Sequence, residues 1–251
     1  MDNKFEAIVN DALVSEITGW DFSLLADRWQ ENDPTWDYRQ IVIDHLPKAN
    51  SLLDMGTGGG EFLSALPNLP QLTKATESYA PNIPIARKRL EPLGISVFTF
   101  EDDDHLPFED QAFDLIINRH ESFSATELYR LLKPGGRFLT QQVGGQDNIE
   151  INQALQDKVD MTYAHWHLDS ARQPLEQAGF QIVEAWEEFP ETRFQDIGAI
   201  IIYLKAAPWQ IEGFDVDLYR DQLFALHQRI NTEGFFATTT HRFYLECIRT
   251  A

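Results

Sequence analysis

Apolar residues recur every three to four positions at the start of the chain, where Phe5, Ile8, Val9, Ala12, Leu13 and Ile17 share one helical face. A second helix is predicted from about Tyr38 to Leu46 and is stopped by Pro47. Short apolar runs and helical segments then alternate. Strands are expected at Ser51–Met55, Thr73–Thr76, Ile95–Phe100, Phe113–Asn118 and Arg137–Gln142. Between them, helices are expected from about Gly60 to Leu66, from near Pro81 to Leu93, and around Thr126 to Leu132. Strands that alternate with helices in this way predict a mostly parallel sheet covered on both faces.

The last hundred residues carry weaker signals. Helices are expected over about 148–160 and 168–178, the second closed by Gly179, and a strand at Phe180–Phe189. Two helices, roughly Asp196–Lys205 and Asp215–Glu233, precede a closing strand at Arg242–Arg249. About fifty residues separate these two strands, so 191–240 reads as a helical insertion that helps build a substrate pocket. Residues 1–48 read as a helical N-terminal piece, and 49–251 as the main domain. The segment from Gly19-Trp20-Asp21-Phe22 through Arg28-Trp29 to Trp36-Asp37-Tyr38 is rich in aromatics, which suit packing of helices onto a core.

Composition narrows the class. A 251-residue chain with 43% hydrophobic residues can bury a large core. No apolar run approaches the roughly 18–20 residues that a membrane span requires, and MDNKFEAIVND lacks the pattern of a signal peptide. The lone cysteine, Cys247, leaves no partner for an internal disulfide and fits a reducing cytoplasm. Forty acids against twenty Lys and Arg give a formal net charge of −20, which argues against a polynucleotide substrate. Arg87-Lys88-Arg89 is the densest basic patch, and it also suits the outer face of a helix.

Candidate chemistry is concentrated after the first strand of the alternating region. Leu52-Leu53-Asp54-Met55-Gly56-Thr57-Gly58-Gly59-Gly60-Glu61 reads as strand, glycine-packed turn and helix start, a place where a ligand can approach the main chain. A dinucleotide fingerprint wants a small residue where Glu61 stands, and no phosphate-loop lysine motif occurs, so both of those nucleotide folds are disfavoured. Glu77 follows Asp54 by 23 residues within one β-α-β unit, a spacing that suits an acid accepting from ribose hydroxyls.

Asp54 with the glycine run, Glu77, the segment Glu101-Asp102-Asp103-Asp104-His105-Leu106-Pro107-Phe108 and Leu132-Lys133-Pro134-Gly135-Gly136 before an apolar strand occur in order. Together they resemble the class I S-adenosylmethionine-dependent methyltransferases, of the type 11 or ubiquinone-biosynthesis-like group, over residues 51–145. The resemblance implies a Rossmann-like α/β fold: a seven-stranded, mostly parallel sheet with helices on both faces, an N-terminal helical cap and a helical insertion before the last strand. It implies S-adenosylmethionine as cofactor, held by Asp54, Gly56, Thr57, Gly58, Gly60 and Glu77. Asp102 would meet the adenine amine, the main chain of Asp103 an adenine ring nitrogen, and Asn118 and Arg119 the methionine part. This family more often has a small residue at the position of Asp103.

Methyl transfer from a sulfonium requires an attacking atom about 3–3.5 Å from the methyl carbon, and sometimes a base. His120, His165 and His241, with Glu121 behind them, are the candidate bases, although each also suits a structural or surface role. His165-Trp166-His167 lacks the further ligands that a metal site needs, so no metal is expected. A small-molecule methyltransferase is the leading function. An RNA or protein methyltransferase and a non-catalytic cofactor-binding regulator remain as alternatives. The acceptor atom and oligomeric state are not written in the sequence.

Overall fold

In a computed structural model, the structure describes residues 3–16, 25 and 27–250. The chain begins with α1 (Asn3–Val14), β1 (Trp29–Glu31), α2 (Tyr38–His45), β2 (Ser51–Met55), α3 (Glu61–Ser64) and β3 (Leu72–Thr76). It continues through α4 (Ile83–Leu90), β4 (Ser96–Phe98), β5 (Phe113–Arg119), α5 (Ala125–Leu131), β6 (Leu132–Val143), α6 (Ile149–Leu155) and α7 (Leu168–Ala178). The remaining elements are β7 (Phe180–Glu188), β8 (Glu191–Phe194), α8 (Ile197–Ala206), α9 (Arg220–Glu233), β9 (Phe236–Thr239) and β10 (Arg242–Arg249).

These elements sort into two units. One comprises Thr35–Val143, Trp166–Glu187 and Arg242–Ala251, and it carries a seven-stranded sheet in the order β4-β3-β2-β5-β6-β10-β7. β2 pairs in parallel with both β3 and β5, β3 with β4, and β5 with β6, while β10 runs antiparallel to β6. The two-residue period of the strands separates two apolar layers. Leu52, Leu115, Ile117, Leu139 and Tyr244 pack in one buried cluster. Leu53, Ile116, Phe138 and Leu245, each one residue away, pack in the other.

Local signals set several boundaries. The Asp37 side chain caps α2 by accepting from Gln40 N at 3.0 Å. Gly179, at φ 102°, closes α7 in the left-handed region. The turn expected at Lys133-Pro134-Gly135-Gly136 is absorbed within the span of β6. Phe113 pairs with Leu132 and Leu115 with Arg137, and Gly135 takes φ 77° between them. Several expected elements are shorter than the sequence suggests, among them the helices now seen as α4, α6 and α9. The helix after the glycine run is the single turn α3, and the third strand is β4 alone, Ser96–Phe98.

The other unit comprises Met1–Pro34, Gly144–His165 and Glu188–His241. A three-stranded antiparallel sheet, β1-β8-β9, lies within it and has no counterpart in the sequence-based expectations. α8 is buried from Ile197 through Leu204, with Asp196 accepting from Ala199 N at 3.0 Å as its N-cap. Lys205 Nζ donates to Ala12 O, Leu13 O and Ser15 O, satisfying carbonyls at the end of α1. Ile17, Gly19, Trp20, Asp21 and Phe22 lie outside the described residues. Of the other aromatics in that stretch, Trp29 stacks on Phe194 in this unit, whereas Trp36 and Tyr38 belong to the sheet unit.

Candidate active site

The strand order reverses beside β2, whose neighbours β3 and β5 lie on opposite sides. In open parallel sheets, ligands bind at the carboxyl ends of the strands flanking such a point. Here the segments that leave those ends are Gly56–Gly60 after β2, Glu77–Tyr79 after β3, and Arg119–Phe123 after β5. The sequence therefore gathers its densest chemistry at the position the topology reserves for a ligand.

Main-chain bonds hold the glycine loop. Thr57 N donates to Thr76 O at 2.9 Å, and Gly60 N to Thr57 O at 2.9 Å. Gly56, Gly58 and Gly60 all have positive φ, at 64°, 61° and 80°. Their surroundings differ. A Cβ on Gly60 would lie 2.8 Å from Leu90 Cγ, so this glycine permits close packing onto α4. A Cβ on Gly58 would meet nothing within 4 Å, which leaves open space beside the main chain. A Cβ on Gly56 would lie 2.5 Å from both Cγ and Oε2 of Glu121.

Acids surround this loop. Asp54 is buried, and desolvation pushes its carboxyl up to about 7; Thr57 and the charge of Arg119 pull it back, and Glu77 pushes it further. Glu77 is also buried and accepts from Tyr79 N at 2.7 Å. Desolvation raises the half-buried Glu121 to about 7, with Asp103 and Glu77 adding to the rise and Ser122 opposing it. Asp102 is exposed and bonds within its own loop, accepting from Asp104 N at 3.0 Å. Asp103 turns the other way: its Oδ2 accepts from Ser122 Oγ at 2.5 Å, while its buried Oδ1 has no hydrogen-bond partner among the described residues.

Beneath the Arg119–Phe123 loop lies a buried amide network. Asn118 Oδ1 accepts from Thr140 Oγ1 at 3.0 Å and from Gln142 Nε2 at 2.7 Å, and Gln142 Nε2 also donates to Glu121 O at 2.9 Å. The Asn118 side chain thus positions the loop that carries His120 and Glu121. Arg119 is exposed, with its guanidinium over the ring of Phe62. His120 takes φ 64° and donates its main-chain N–H to Gln141 O at 2.9 Å. Its residue keeps a solvent-facing side, yet desolvation of the ring, and then the charges of Arg119 and Arg242, push the imidazole down to about 3. Trp36 Nε1 donates to Gln141 Oε1 at 2.9 Å, which leaves the Gln141 amide nitrogen 3.5 Å from His120 Nε2. Gln141 and Gln142 join the site although no motif in the sequence marks them. The available signal was three polar residues in a row, Thr140-Gln141-Gln142, at the end of an apolar strand.

The other candidate bases belong to the second unit. His165 is exposed in a turn. His241 is buried; its Nδ1 accepts from Gln146 N at 3.2 Å, and its ring stacks on Phe189 at 4.4 Å. Among the described residues, no group of three or more His, Cys, Asp and Glu is arranged to hold a metal. No described helix is long and apolar enough to cross a membrane.

The chain is similar to several known proteins. Residues 53–140 match the family model of a methyltransferase domain. The biotin biosynthesis bifunctional protein of Teredinibacter turnerae is 28% identical over 70% of this chain, which spans only 36% of that relative's length. A malonyl-[acyl-carrier protein] O-methyltransferase of a Marinomonas species is 24% identical, over 69% of this chain and 74% of its own. A candidate methyltransferase of Bacillus halodurans C-125 shares the fold at a TM-score of 0.59 and 17% identity, covering 86% of this chain and 99% of the other. Residues 53–140 are thus similar to a methyltransferase domain, and the seven-stranded sheet shares the Rossmann-like fold of the class I S-adenosylmethionine-dependent methyltransferases.

The residues present fit the cofactor of that class. Thr57 Oγ1 is buried beside Asp54, whose carboxyl it helps to hold, and has no further partner among the described residues, so it can still meet a polar ligand atom. The open space at Gly58 lets a ligand reach the main chain, and the acids around the loop suit a ligand that carries positive charge.

Proposed function

We propose that this protein transfers the methyl group of S-adenosylmethionine to a small-molecule acceptor through an oxygen, nitrogen or carbon atom. The observation that carries the reading is the acid-lined switch point, where the glycine loop leaves its main chain open at Gly58 and the buried Glu77 directly follows β3. The bound donor supplies a methyl carbon activated by a sulfonium. Glu77 accepts from the ribose hydroxyls, and the Gly56–Gly60 loop holds the donor through its main chain and Thr57. The inward carboxylate of Asp103 and the main chain after β4 serve the adenine. Arg119, His120 and Glu121 stand on the loop next to the chemistry, positioned by Asn118 and Gln142. His120 is neutral at physiological pH and so able to accept a proton, but its lowered pKa makes it a weak base. An acceptor that loses its proton to solvent or carries a nucleophile already deprotonated suits this site best.

The net charge of −20 supports a small acceptor over a polynucleotide. The Marinomonas relative is named for an acyl-carrier substrate, and at 24% identity it leaves the acceptor here undecided. Calorimetric titration with S-adenosylmethionine and S-adenosylhomocysteine, with NAD as control, tests the cofactor. Micromolar binding of the first two and none of NAD is expected. Glu77→Ala should weaken the binding of both by about 1.5–3 kcal/mol, the scale of a hydrogen bond to a charged group. Unchanged affinity would remove Glu77 from the ribose role.

A further inference from the structure

We infer that Glu121 is the counter-charge for the sulfonium of the donor, so that it sets the preference for the methylated, cationic cofactor over its neutral product. The inference rests on the cofactor reading above and adds a specificity-determining residue to it.

The geometry begins at Gly56. The Glu121 side chain lies so close to this glycine that a Cβ there would sit 2.5 Å from its Cγ and 2.6 Å from its Cβ. Its carboxylate is therefore held against the main chain of the loop that receives the donor. Two supports hold it there. Gln142 Nε2 donates to Glu121 O at 2.9 Å, and Asn118 Nδ2 donates to Ser122 O at 3.4 Å. Thr57, next in sequence to Gly56, is more than nine-tenths buried, and apart from its approach to Asp54 its hydroxyl has no partner among the described residues, an independent sign that a polar ligand belongs in this loop.

The charges facing Glu121 are unbalanced. Asp103 and Glu77 both bear on it, Asp54 lies on the strand that feeds the loop, and Arg119 is the cation on the same segment. Arg119 is exposed and lies over Phe62, and its neighbour His120 is held neutral. Without a ligand, burial of the carboxyl first, and then the charges of Asp103 and Glu77, hold the Glu121 proton up to near neutral pH. A monocationic ligand reverses that balance: the Glu121 proton leaves to solvent and the carboxylate faces the positive charge. S-adenosylmethionine carries one net positive charge at neutral pH and S-adenosylhomocysteine carries none, while their adenosine and amino-acid parts are the same. Only the first gains from Glu121, so transfer of the methyl group also weakens the hold on the product.

The test is titration of wild type and Glu121→Gln with both ligands at pH 8, repeated for wild type at pH 6. Wild type should prefer S-adenosylmethionine, more strongly at pH 8 than at pH 6. Glu121→Gln should lose about tenfold in affinity for S-adenosylmethionine, the order that one partly solvated charge pair supports. It should hold S-adenosylhomocysteine as tightly as wild type does, which also shows that the variant is folded. Equal losses for both ligands would mean that Glu121 serves a part common to them, and unchanged affinity for both would mean that it serves neither; either result overturns the inference and leaves the cofactor reading standing. Failure of wild type to bind either ligand would overturn both.

Discussion

Gly58 and Gly94 have similar backbones, with φ of 61° and 80°, and a Cβ would meet nothing within 4 Å at either. They differ in place: Gly58 lies in the loop at the switch point, and Gly94 ends the segment after α4. Alanine at either should cost about 1–2 kcal/mol of stability, the penalty for a left-handed L-residue. Only Gly58→Ala should also abolish donor binding, because its methyl group fills the space left for the ligand. Thermal denaturation and titration of both variants separate the two effects; normal binding by Gly58→Ala would move the ligand elsewhere. At this scale the glycine run and Glu77 were legible because spacing alone expresses them. The direction of each side chain was not. Asp102 and Asp103 are adjacent acids in a loop, and only the folded main chain turns one outward and leaves the other with a buried, unpartnered oxygen.

Among the elements, those with a strong period or a defined stop were read well. β10 spans Arg242–Arg249 and α7 ends at Gly179, as the alternation and the glycine predicted. The β1-β8-β9 sheet leaves no pattern in the sequence because its strands run only three or four residues, too short for a period to show. α2 shows how a short element can matter beyond its length. The hydroxyl of its buried Tyr38 accepts from Asn118 N at 3.2 Å and donates to Asn118 O at 2.9 Å, with Leu139 O at 3.2 Å. It ties α2 to the ends of β5 and β6, directly before the loop that bears His120 and Glu121. Tyr38→Phe keeps the ring against Phe62 and Tyr244 but strands these main-chain groups. It should cost about 1–3 kcal/mol in chemical denaturation. Donor affinity should fall with it, since the loop loses its anchor. A variant as stable as wild type would show that the strand ends close on each other without the hydroxyl.

For the molecule as a whole, pH sets the stakes of gathering acids at one site. Asp54 and Glu121 have native pKa values near 7, against ordinary values of 3.8 and 4.5. Between about pH 4 and 7 the folded state therefore holds up to two protons that the unfolded chain has released. Stability from these groups is complete below their ordinary values and is lost as pH rises through 7. His120 acts the other way, since its imidazole stays neutral down to about 3 while the unfolded ring takes a proton below 6.5. His45, raised chiefly by its hydrogen bond with Glu246, sides with the two acids, so three groups against one leave a net loss of stability as pH rises from 5 to 7. The formal charge of −20 adds repulsion in the same direction. The ligand-free protein should accordingly melt at a lower temperature at pH 8 than at pH 5.5, and Glu121→Gln should flatten part of that slope by removing one of the two acids. Saturating S-adenosylmethionine should raise the melting temperature more at pH 8, where Glu121 is already ionised, than at pH 6. A melting temperature that climbs steadily from pH 5.5 to 8 in the ligand-free protein would mean that Asp54 and Glu121 give up their protons well below neutrality, and that the acids around the glycine loop are charged before the donor arrives.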